Sequence, residues 1–152
     1  MKPSQHCVDL VKEFEGYSAT AYPDPGSGDE PWTIGYGTTK YPDGTKVKKG
    51  DQCIRSAAEE WLRYELEAKG DVVDSLVRVP LEQHQFDALC SFTYNVGTKA
   101  FQDSTLRKMV NAALFSEAAQ QFLRWTRASG RVLPGLVKRR EEERALFMGE
   151  HA

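Results

Sequence analysis

A chain of 152 residues, 40% hydrophobic and 28% charged, is long enough to bury a core and too apolar for intrinsic disorder. Its formal net charge of -2 gives no support for nucleic-acid binding, and no apolar run approaches the ~18 residues of a membrane-spanning helix. Three cysteines (Cys7, Cys53 and Cys90), odd in number and widely spaced, predict reduced thiols rather than a disulfide framework or a metal site.

The N-terminal residues lack an apolar export region and a small-residue cleavage site, so no cleavable signal is expected. Residues 4–15 place Val8, Leu10, Val11 and Phe14 at helical spacing, with Ser4 as N-cap and Gly16 as the stop. Glu15 therefore falls in the last helical turn, where the helix dipole does not favour a carboxylate. From 17 to 41 the pattern changes to short strands and turns. Residues 22–31 carry three prolines and two glycines and must form a loop, while W-T-I-G-Y-G-T-T (32–39) reads as a strand. Together these predict a small antiparallel sheet of two or three strands.

Ser56 is expected to cap a helix running towards Gly70, with a further helical stretch over 71–77 across a bend. Pro80 breaks the pattern. A helix carrying Phe86, Leu89, Cys90, Phe92 and Thr93 then runs to Asn95-Val96-Gly97, followed by a turn over 97–99. Further helices are expected from Ser104 or Thr105, from Ser116 to Trp125, and from Pro134-Gly135 to about Met148, with a turn over 128–131. Residues 124–144 hold seven basic and three acidic side chains, expected as a solvated helix face or, in a sharper reading, as a basic wall for an anionic polymer. The order of elements is α+β with segregated parts: an N-terminal helix, a sheet lobe over about 16–55, a connecting helix over about 56–78 and a helical lobe over about 80–150, with a cleft between the lobes as the expected site.

Two carboxylates and a hydroxyl stand out at the start of this plan. Glycoside hydrolysis needs one protonated carboxyl and a second group on the far side of the sugar. Glu15, beside Phe14 and Tyr17, is the candidate acid, because partial desolvation favours the protonated form. Asp24, in the Pro/Gly loop, is the candidate second carboxylate, and Thr33 could hold a water. Trp32 and Tyr36 either stack on sugar or pack the sheet. His6, His84 and His151 are far apart in sequence, so no metal or other cofactor is implied.

The pattern E-G-x5-Y-x-D followed by W-T-I-G-Y-G resembles the phage-type lysozymes, the endolysins of tailed bacteriophages in glycoside hydrolase family 24. Residues 85–97 are similar to the family's central helix, and residues 104–111 and 124–143 to its later helices, so the resemblance spans about residues 8–147. It implies a lysozyme-like α+β fold over residues 1–152 and an N-acetylmuramidase acting on bacterial peptidoglycan in host-cell lysis. By position it makes Glu15, Asp24 and Thr33 catalytic and puts Thr39, Tyr94, Asn95, Ser104 and Gln121 along the saccharide. A monomer is the default expectation and no membrane insertion is expected, while the resemblance implies an enzyme held in the host cytoplasm until another phage protein opens the inner membrane. Arg139 and Arg140 are the motif's candidates for pairing with Glu15. One departure is a span of eight residues between Asp24 and Thr33, where the common family pattern has five, which brings in Asp29 and Glu30 as rival carboxylates. A lytic transglycosylase and a non-cleaving glycan-binding domain are the alternatives.

Overall fold

The computed structural model describes residues 1–150; His151 lies outside them. The elements in order are α1 (Gln5–Glu15), β1 (Ser18–Tyr22), β2 (Thr33–Gly35), α2 (Arg55–Leu76), α3 (Gln83–Val96), α4 (Thr98–Asp103), α5 (Thr105–Asn111), α6 (Phe115–Phe122), β3 (Arg127–Ala128), β4 (Arg131–Val132) and α7 (Pro134–Phe147). The chain forms two compact units, one of residues 8–65 and one of the remaining residues. Among the described residues no helix is long and apolar enough to cross a membrane.

In the unit of residues 8–65, β1 and β2 pair antiparallel with Ser18 opposite Gly35 and Tyr22 opposite Thr33. Isolated bridges (Thr20 to Gln52, Ile34 to Thr38, Lys40 to Lys46) extend this small sheet. Its inner face buries Ala21, Ile34 and Val47, against which Trp32, Tyr41, Cys53 and Trp61 pack. Trp32 is thus partly buried in the sheet's packing, while Tyr36 is buried, its ring centre 5.3 Å from that of Tyr17 at a 48° tilt. Gly35 is required twice over. Its φ of +64° is left-handed, and an added Cβ would lie 2.8 Å from the Cβ of Ala58 in α2.

The other unit is helical. Its part of α2 passes through Gly70 without interruption, where a bend was expected. The missing side chain makes room there, since a Cβ would lie 3.0 Å from the Phe86 ring and 3.3 Å from Pro3. The backbone N–H of Ser4 donates to Asp87 at 3.0 Å, and its hydroxyl also donates to that carboxylate. α3 opens on a Glu82–Gln85 capping box and closes on Gly97 at φ 97°. The expected turn at 98–99 is instead the start of α4. Phe92 of α3 anchors an aromatic core, meeting Phe122 at 5.4 Å, Trp125 at 5.3 Å and Phe101 at 6.4 Å. The expected turn at 128–131 is the tip of a short hairpin, with Ser129 and Gly130 both at positive φ as a tight two-residue connection requires. All three cysteines are free, and burial pushes the Cys7 and Cys90 thiols far up, so they act as small apolar side chains.

The basic C-terminal stretch corrects the expectation of a solvated face. Arg124, Arg127, Arg131 and Lys138 are exposed, but Arg139 and Arg140 are buried on α7, 2% and 1% exposed, around the fully buried Glu143. Arg139 Nε donates to Glu143 Oε2 at 3.2 Å, Arg140 Nη1 to Oε1 at 2.6 Å, and the Ser91 hydroxyl to Oε2 at 2.5 Å. Spacings of three and four put all three charges on one side of the helix. Truncating the carboxylate would leave two buried guanidinium groups without it. Glu143→Ala is therefore expected to cost about 3–5 kcal/mol of unfolding free energy, read from urea denaturation.

Candidate active site

The three residues predicted to be catalytic all belong to the compact unit of residues 8–65. Glu15 is the last residue of α1 and half-buried. Gly16 (φ +70°) then reverses the chain, its N–H closing on the Lys12 carbonyl at 3.1 Å, so β1 begins only three residues beyond Glu15. The Glu15 carboxylate lies within electrostatic reach of Tyr22: burial first, and that carboxylate second, hold the Tyr22 phenol above its ordinary range. Tyr22 is the register partner of Thr33, and Asp24 follows it by two residues. Tyr22 is the tyrosine of the Y-x-D spacing, and that fixed spacing is its signal in the sequence.

Asp24 organises the long tip. Its Oδ2 accepts the backbone N–H groups of Gly26 at 3.0 Å and Ser27 at 3.1 Å, and its carbonyl accepts that of Gly28 at 2.8 Å. Its own N–H donates to the Asp29 carbonyl at 2.9 Å, closing the loop neck. Gly26 leaves room for this, since a Cβ there would lie 3.1 Å from Oδ2. The additional loop residues are thus folded onto Asp24. Of the rival carboxylates, Asp29 accepts the Trp32 indole N–H at 3.2 Å, whereas Glu30 is exposed beside a cis peptide to Pro31.

Thr39, in the same unit, is exposed. In the helical unit, Tyr94 and Asn95 end α3, and the Asn95 side-chain oxygen accepts from Arg140. Arg140 also donates to the Trp125 carbonyl at 2.9 Å, so Asn95 is held by the buried charge cluster. Ser104 is buried, and its hydroxyl accepts from Arg107 N–H at 3.1 Å and donates to the Phe101 carbonyl at 2.7 Å. That is a helix N-cap with both hydrogen-bonding roles used. Gln121 is half-buried in α6.

A separate depression of about 840 Å³ in the unit of residues 8–65 is lined by Lys12, Tyr17, Tyr36, Arg55, Glu59 and Arg63 among others. Two of its cations share the Glu59 carboxylate and the third lies over a ring. Lys12 meets Glu59 at 2.7 Å, Arg63 meets the same carboxylate at 3.0 Å, and Arg55 lies 4.2 Å from the Tyr17 ring centre.

Comparison with known proteins follows the same lines. The phage lysozyme family model matches residues 12–143. The endolysin of Bacillus phage B103 is 43% identical over 97% of this chain, which spans only 54% of that endolysin's length. The endolysin of Salmonella phage P22 is 40% identical, with 97% of this chain and 99% of the relative covered. Among solved structures, the muramidase domain of SpmX from Asticaccaulis excentricus superposes with a TM-score of 0.85 at 37% identity, over 97% of both chains. The chain belongs to the phage lysozyme family, and its α+β fold is the lysozyme-like one.

Two outcomes follow for this unit. Asp24→Ala removes the acceptor of two loop N–H groups, so amide exchange at Gly26 and Ser27 is expected to rise about tenfold, while Asp24→Asn retains an acceptor and much of the protection. Glu59 is held below the ordinary carboxylate range by the Lys12 hydrogen bond first and by Arg63 second. A depressed carboxylate adds stability above its unfolded value, near ~4.3, and loses it as pH falls through the lower folded value. Thermal denaturation of Glu59→Gln should therefore show lower stability at neutral pH and a shallower loss below about pH 4.3 than the parent.

Proposed function

We propose that this protein is an N-acetylmuramidase that hydrolyses the β-1,4 bond between N-acetylmuramic acid and N-acetylglucosamine in bacterial peptidoglycan, and that it serves host-cell lysis by a phage or prophage. The observation that carries the reading is the grouping of Glu15 with Tyr22, the strand partner of Thr33 two residues before Asp24, in a chain of the phage lysozyme family. Endolysins at 40–43% identity and a muramidase domain among the structural relatives support it.

In this reading Glu15 is the general acid that protonates the leaving glycosidic oxygen. Asp24 and Thr33 act on the other side of the reacting sugar. Both side-chain hydrogen bonds of Asp24 fall on Oδ2, which fixes the carboxylate and keeps Oδ1 for a water or for the positive charge that develops on the sugar. The Thr33 hydroxyl holds the attacking water. Thr39, Tyr94, Asn95 and Gln121 contact the saccharide, and Ser104 contributes by fixing the first turn of α5. The reading takes the chain as one catalytic domain working as a monomer with no cofactor. It accumulates in the host cytoplasm and reaches the wall once another phage protein opens the inner membrane.

Digestion of purified peptidoglycan with products read by mass spectrometry tests this. Reducing muramic ends are expected from the parent, with Glu15→Gln slowing their release by at least about 100-fold. Anhydro-muramic ends would make the protein a lytic transglycosylase, and glycan binding without soluble fragments would make it a binding domain.

A further inference from the structure

In the unit of residues 8–65 a smaller pocket of about 300 Å³ opens beside Trp32, at the low end of the volumes that hold small ligands. Pro31, Trp32 and Val47 give it an apolar wall, and Asp29 holds the Trp32 indole N–H at 3.2 Å, so the ring is a fixed platform. Lys40 and Lys46 supply its positive charge.

Those two lysines are cross-strand partners in an antiparallel bridge. Directly opposed residues project to the same face with Cβ atoms about 5 Å apart, and like charges there are destabilising. The register is imposed by the hairpin around them, where Tyr41 N–H donates to Thr45 O at 2.8 Å and Val47 N–H to Thr39 O at 3.0 Å. The acids of the hairpin and its neighbouring turn are committed elsewhere. Asp43 accepts from the Thr45 N–H and hydroxyl, and Asp51 from the Tyr41 hydroxyl and the Lys48 N–H. Among the described residues neither Lys40 nor Lys46 has an ion pair or side-chain hydrogen bond. This contrasts with the larger depression, where Lys12 and Arg63 are both paired with Glu59. Two opposed lysines lining one pocket with an indole ring are complementary to a carboxylate carried on a small, partly apolar group.

We infer that this pocket is a subsite for the peptide stem of the glycan substrate, with Lys40 and Lys46 binding a stem carboxylate over Trp32. The inference rests on the muramidase reading for the identity of the substrate. Thr39, already placed along the saccharide, also lines the pocket and makes it continuous with that path. Glu30 lines it too, adding one negative charge to the two positive ones. A peptide stem offers the matching set, because it carries carboxylates together with the amine of a diamino acid. A phosphate polymer would leave Glu30 unanswered.

The test measures binding by Glu15→Gln protein, with and without the added pair Lys40→Gln and Lys46→Gln. The probes are soluble glycan strands with intact stems and the same strands stripped by an amidase, which keep the lactyl carboxylate of each muramic acid. Strands with stems are expected to bind about 3- to 10-fold tighter than stripped ones, a preference lost in K40Q/K46Q and kept in K40R/K46R. Equal binding of the two strands by the Glu15→Gln parent, or a preference that survives K40Q/K46Q, overturns the subsite. Bond cleavage by the wild-type chain reports separately on the enzyme: no cleavage with a lysine-dependent preference refutes the hydrolase alone, and cleavage without the preference refutes the subsite alone.

Discussion

A carboxylate with no exposed surface has to be answered by its neighbours, and in the helical unit Glu143 sets that requirement. Both its oxygens are occupied, one by Arg140 and the other by Arg139 and Ser91. Arg140 has donors left over, and these reach the Trp125 carbonyl and Asn95 at the end of α3, while its guanidinium lies 5.0 Å from the Phe92 ring centre. Burial lowers the Arg140 pKa and Glu143 opposes that shift, as expected when a charge leaves water for a paired site. The cluster thereby fixes α3 against α7 in rotation as well as distance, because each hydrogen bond has a direction that apolar contacts lack. A residue proposed to touch substrate, Asn95, takes its orientation from a charge pair that does not.

In the unit of residues 8–65 the same logic works at smaller scale. Asp24 gathers the loop between β1 and β2 through its side chain and its main chain, and Asp29 secures Trp32. The long loop turns back onto Asp24. At the loop end Tyr22 is opposite Thr33, with a register shift along β1 between Ser18 and Tyr22. Lengthening a loop costs little closure entropy, and local hydrogen bonds offset part of that cost. The carboxylate that anchors the loop is also the one proposed for the reaction, so fixing the loop fixes that group.

Much of this was legible in the residue pattern. Helical periodicity and a terminal glycine locate α1 and put Glu15 at its end. Proline and glycine spacing marks the loop and the short strands, and the Ser104-Thr105 pair marks the start of α5, with Ser104 as the cap. The motif residues 15–37 then select the family without any coordinate, because reactive side chains at fixed separations along short elements are a local property.

Other features needed the tertiary fold. Gly70 reads as a helix breaker, yet it is a contact site for Phe86 inside one continuous α2. The sequence over 138–144 reads as a solvated charged face, yet Arg139, Arg140 and Glu143 are buried. Lys40 and Lys46 are six positions apart and unremarkable until a hairpin makes them neighbours. In each case the deciding quantity is what occupies the space around a residue. Periodicity and capping act within a few residues along the chain, so the sequence alone determined most of the helices, the catalytic candidates and the family, but not α4 or the β3–β4 hairpin. Burial, ion pairing and cross-strand proximity depend on residues distant in sequence, so only the folded chain decided which charges are structural and which stay available to a ligand.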